Sequence, residues 1–207
     1  MLPHLLQQDF ANHFTGSIAL QPVPTEVHLN NFTLSDQKAC KQCPNKNCEN
    51  DQPNVVLNIG VQASKVIEID YDAFISQLYP QHKKPTNCDY ILTSDNSIVL
   101  CELTCSHEKA LTPQVKSGGK RVKAHAQLIE TKRMLYGVPS IRDYIDSHCG
   151  RKVLLFGYRL KAKLTQSELA QLTDPFLTAP GMNPSWGSET DDGFLLTQCE
   201  FPNEFTI

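Results

Sequence analysis

Apolar positions along the chain change period partway through. Val55–Val61 and Val66–Tyr71 are short apolar runs that predict strands. Asp72–Leu78 follows as a short predicted helix, stopped by Pro80. Cys88–Thr93 and Ile98–Thr104 predict two more strands, and the polar tetrapeptide Ser94-Asp95-Asn96-Ser97 between them has turn composition, so the pair predicts a hairpin. From Lys120 to Tyr136 the period becomes helical: Ala124, Leu128, Thr131 and Leu135 recur at spacings of four, three and four and share one face. Gly137-Val138-Pro139 ends that helix. A second helix is predicted over Ile141–Ser147 and a strand over Lys152–Leu160, while Thr165-x-x-Glu168 has capping-box spacing and opens a helix through Leu172.

The two ends lack sustained period. Residues 1–53, with Pro22, Pro24, Pro44 and Pro53, predict an irregular N-terminal region that contains a cysteine cluster. Residues 175–207 are punctuated by Pro and Gly, acidic and aromatic, and predict an irregular tail packed on the domain or docked on a partner. Between them, 54–174 reads as an α/β core. Its mixed central sheet is expected from the segments around 55–61, 66–71, 88–94, 98–105 and 152–160, with helix 120–136 packed across one face.

Composition supports a folded unit: 207 residues, 40% apolar and 20% charged, are enough to bury a core. No apolar stretch approaches the roughly 20 residues that span a bilayer, and Met1–Gln8 lacks the basic start of a secretory signal. A cytoplasmic protein with no membrane partner is the expectation.

Charge is strongly segregated. Residues 1–108 carry a net −6, 109–163 a net +10, and 164–207, without any Lys or Arg, a net −7. A basic middle between acidic ends suits either a polyanion or an acidic protein surface, or simply a solvated helix face. For nucleic acid the contact candidates are Lys116, Lys120, Arg121, Lys132 and Arg133. The acidic tail could cover that surface or dock a basic protein partner.

Cys88, Cys101 and Cys105 lie in or beside apolar runs and read as small buried hydrophobes. Cys40, Cys43 and Cys48 instead cluster in a polar segment, a set that suits structural zinc, an iron–sulfur cluster or free reduced thiols. The fourth ligand of a metal site would be Cys88, Cys105, Cys149, Cys199 or a histidine such as His28.

The chemistry concentrates in the hairpin and the helix after it. Asp89 begins one strand and Glu102 interrupts the apolar run of its partner. A buried carboxylate needs a partner or a metal. Two such carboxylates, with the Leu103 backbone carbonyl, can converge on a divalent cation such as magnesium. Lys120, Lys123 and Gln127 form one polar stripe at i, i+3 and i+7 on the helix.

The run Asn-Cys-Asp89-Tyr-Ile-Leu, a turn, Ile-Val-Leu-Cys-Glu102-Leu-Thr104, then Lys123-Ala-His-Ala-Gln127-Leu-Ile-Glu-Thr resembles the core of a PD-(D/E)XK nuclease, over about residues 55–160. The resemblance implies a restriction-endonuclease-like αβββαβ core with a mixed central sheet flanked by helices, Mg2+ or Mn2+ as cofactor, and hydrolysis of DNA phosphodiester bonds, as a subunit of a nucleic-acid-processing or defence complex. It implies metal binding by Asp89 and Glu102, charge stabilisation by Lys123 or Lys120, and positioning of water or phosphate by Gln127. One position departs from the pattern: Thr104 stands where the family carries lysine. The alternative is therefore a catalytically silent module of the same fold that binds nucleic acid or a protein.

Overall fold

A computed structural model describes residues 1–35, 53–60, 63–80, 84–106, 111, 119–160 and 186–207. Cys40, Cys43, Cys48, Lys116 and the helix expected from Thr165 to Leu172 lie outside the described residues.

The fold is mixed α/β. A six-stranded sheet has the order β1 (Thr25–His28), β4 (Val66–Asp70), β5 (Tyr90–Thr93), β6 (Ser97–Ser106), β7 (Arg151–Leu160) and β8 (Phe194–Glu200). The pairings β1–β4, β4–β5 and β5–β6 are antiparallel, whereas β6–β7 and β7–β8 are parallel. Parallel strands need a crossover. Between β6 and β7 it contains α4 (Gly119–Tyr136) and α5 (Pro139–His148). The chain opens with α1 (Leu2–Leu5), a π-helical turn over Leu6–Phe10 and α2 (Ala11–Thr15), and α3 (Tyr71–Leu78) links β4 to β5.

Helix α4 buries the face that the spacing picked out: Ala124, Leu128, Thr131 and Leu135, joined by Met134. Fully burying a leucine such as Leu128 or Leu135 contributes about 1.5–3 kcal/mol. This face packs on Ile98 and Leu100 of β6, Ile91 of β5 and Leu154 and Phe156 of β7. Leu2, Leu6 and Phe10 from the N-terminal helical segment complete that core.

The opposite face of the sheet is also covered. A second, three-stranded sheet of β2 (Phe32–Leu34), β3 (Val55–Asn58) and β9 (Glu204–Thr206) packs there through Leu34, Val55, Leu57 and Phe205. Val99, Leu103, Val153 and Leu155 meet it from the large sheet. Gly157 makes the approach feasible, because a Cβ there would lie 2.7 Å from Leu103 Cδ2 and 3.2 Å from Val55 Cβ.

Three expectations are corrected. The segment around 55–61 does not join the central sheet. Both edges of β4 are already occupied, by β1 and β5, and β3 instead presents Val55 and Leu57 to the face of β6 and β7. The described part of 1–53 holds helix and two strands rather than irregular chain. The described part of 175–207 supplies β8 and β9, one strand to each sheet. The hairpin, α3, α4, α5 and β7 form where the pattern predicts them, within a few residues.

Candidate active site

On β6, Ile98, Leu100, Glu102 and Thr104 alternate onto the face covered by α4. Glu102 is only 8% exposed and Thr104 is buried. Asp89 immediately precedes β5 and is held through both its backbone and its side chain. Its N–H donates to the Cys101 carbonyl (3.0 Å), its carbonyl accepts from the Asp72 N–H (3.1 Å), and its Oδ2 accepts from the Leu103 N–H (2.9 Å). The aspartate is thus pinned to the neighbouring strand β6 and to the start of α3.

Asp89, Glu102, Lys120, Lys123 and Gln127 all line one cavity of about 200 Å³, together with Asp72, Leu103, Thr104, Ala124 and Phe156. Lys120 and Lys123 are exposed, so their ammonium groups stand on the solvent side. Gln127 Nε2 donates to the Asn87 carbonyl (3.1 Å). The amide nitrogen of Gln127 therefore braces the segment that leads into Asp89.

Sequence reasoning missed Asp72, Lys84, Asn87 and Thr131. Asp72 sits in the first turn of α3, where an acid is commonly just a helix-dipole partner. Lys84 forms an ion pair with its carboxylate, and Asn87 Nδ2 donates to the same carboxylate (3.1 Å). Burial pulls the Lys84 ammonium below the usual lysine range, while Asp89, Asp70 and Glu102 oppose that shift. Thr131 Oγ1 accepts the Cys88 N–H at 2.8 Å, which ties the residue before Asp89 to α4. Its place on the buried face of the helix was legible, but not this bond.

The basic residues divide. Arg133 is exposed and pairs with Glu130 one turn away (2.6 and 2.9 Å). Arg121, expected to face phosphate, turns inward: its guanidinium carbon lies 5.6 Å from the centre of the Tyr158 ring. The reason is position, since Arg121 lies three residues before Ala124 and seven before Leu128, on the apolar face. Lys132 is largely buried along its stem and forms an ion pair with Asp192 from the segment before β8. Part of the acidic end therefore lies on the basic helix. Trp186 adds to this contact, stacking on Phe156 (5.6 Å) and meeting His125 edge-on (6.4 Å). Burial lowers the His125 pKa, which favours a neutral ring.

Cys88, Cys101, Cys149 and Cys199 are buried free thiols whose pKa values burial raises, Cys149 to about 11. Among the described residues, no helix is long and apolar enough to cross a membrane. Comparison with protein-family models, with curated proteins and with solved structures found no match.

Proposed function

We propose that the chain is a divalent-metal-dependent nuclease of restriction-endonuclease-like architecture that hydrolyses DNA phosphodiester bonds. One observation carries the reading: five residues separated by up to 38 positions, chosen from sequence for this chemistry, border a single cavity. The antiparallel run β4, β5 and β6, followed by a helical crossover to a parallel β7, agrees with the architecture that the resemblance implies.

The donor set fits a hard cation. Three carboxylates, Asp72 from α3, Asp89 from the residue before β5 and Glu102 from β6, border the cavity, and an oxygen-only set suits Mg2+ or Mn2+. Asp89 and Glu102 would hold the ion, with Asp72 and the Leu103 carbonyl as further oxygens. Once bound, the ion would supply Lewis-acid polarisation and a more acidic water.

The remaining roles belong to the chain itself. Lys120 and Lys123, at the solvent side, draw in the phosphate and steady the charge that grows on it. Gln127 acts as a positioning residue through Asn87, holding Asp89 at its place by the β6 backbone. Thr104 lacks the charge of the family lysine, so this duty falls to Lys123 or Lys120. Lys120, Lys123 and Arg133 are the exposed contacts for the DNA backbone among those described.

The second reading, a silent module that binds nucleic acid, rests on Thr104. A cleavage assay with Mg2+ or Mn2+ on single- and double-stranded DNA separates the two. Wild type is expected to cut. Glu102→Gln should abolish cutting while preserving the fold, and Lys123→Ala should lower the rate by about 10²–10³-fold if that ammonium stabilises transition-state charge. Wild type that binds DNA without cutting it, or Glu102→Gln that cuts equally well, overturns the nuclease reading.

A further inference from the structure

We propose a second metal site, separate from the cavity and independent of the nuclease reading, in which Glu26, His28 and Glu68 bind zinc at the outer edge of the large sheet. The strand register creates the site. Glu26 and Glu68 are direct partners across the β1–β4 ladder, and His28 stands two residues beyond Glu26 on the same face. Like charges placed directly opposite each other destabilise a ladder. Here the opposed carboxylates converge with an imidazole, one donor atom of each residue lying within 4.8 Å of the others.

The imidazole is already oriented. Its ring lies flat on Phe32, with centroids 3.7 Å apart and planes 2° from parallel. Its Nε2 is 2.7 Å from Glu68 Oε2. Glu68 is half-buried, with Glu26 directly across the ladder from it. A divalent ion between the two carboxylates relieves their repulsion.

The donor set selects the metal. One nitrogen and two carboxylate oxygens, with an open position for water, match three-ligand zinc sites. Imidazole is a good ligand for zinc and its neighbours, whereas magnesium prefers oxygen alone. Ligands about 2.0–2.2 Å from zinc lie within about 4.4 Å of one another, close to the spacing of the three donor atoms here. Bound there, zinc cross-links edge strand β1 to β4. Its role is to fasten the sheet's edge.

Cobalt titration of the full chain tests the site, because Cys40, Cys43 and Cys48 could also take zinc. Cobalt on thiolates shows intense near-ultraviolet charge-transfer bands that an imidazole–carboxylate site lacks. Wild type is expected to bind one cobalt without those bands, to release it to zinc, and to hold it against excess Mg2+. Glu68→Gln and His28→Ala should each weaken that event by about tenfold or more, while Glu102→Gln leaves it unchanged. Zinc should also shift the ring-nitrogen resonances of His28 in NMR spectra. The proposal is overturned if all bound cobalt carries thiolate bands, or if Glu68→Gln and His28→Ala bind as wild type does. Should His28→Ala misfold by circular dichroism, the shape-conserving Glu68→Gln and the His28 resonances decide the matter.

Discussion

A buried hydroxyl helps to anchor the chain just before Asp89. Thr131 accepts the Cys88 N–H at 2.8 Å, and Cys88 is completely buried. Thr131→Val keeps the side chain's shape but leaves that N–H without an acceptor, at a cost of about 1–3 kcal/mol in urea unfolding. Thr131→Ser retains the hydroxyl and should recover most of the loss. Under the nuclease reading, Thr131→Val also loosens Asp89, so cleavage should fall more than DNA affinity does. Equal stability of wild type and the valine variant would show that the bond contributes nothing.

Among elements, the covering of β6 on both faces is the dominant fact. Its residues are buried almost throughout, because α4 lies on one side and the small sheet on the other. Gly157 sets how closely the small sheet lies. Gly157→Ala forces Leu103 and Val55 apart and should cost about 1–3 kcal/mol, read as a lower denaturation midpoint. What was legible beforehand follows from the same physics. Helix α4 and the β5–β6 hairpin carry their burial in their own spacing, and Glu102 announced itself by breaking an apolar run. Strand β1 carries no such record: Thr25, Glu26 and Val27 are exposed, and its place is set by backbone pairing to β4. The parallel pairing of β3 with β9 joins distant segments, so neither strand alone indicates its partner. Asp72 likewise borders the cavity, and Lys84 pairs with it, only through tertiary contacts that their local sequence does not announce. The inward turn of Arg121 could have been read from its helical position, but counting charge ignores direction.

At the scale of the molecule, charge is partly neutralised from within. Asp192 pairs with Lys132, and Lys152 reaches both Asp146 (2.6 Å) and the Asp192 carbonyl (3.5 Å). If the basic helix faces DNA, the acidic segment competes with phosphate for it. Asp192→Asn should then tighten DNA binding at low salt and steepen the fall of affinity with salt by up to about one phosphate contact's worth. Filter binding across a salt series measures both. Affinity unchanged by the substitution, or insensitive to salt, would place the DNA contacts elsewhere or remove them. The pairing of β3 with β9 has a different consequence, one of timing. During synthesis β3 leaves the ribosome long before β9, so the small sheet lacks one of its three strands while the rest of the chain emerges. Through that interval the second face of the large sheet, with Val99, Leu103, Val153 and Leu155, lacks part of its cover. Sticky apolar surface on a nascent chain invites aggregation or a chaperone, and the segment that ends the exposure is Glu204–Thr206.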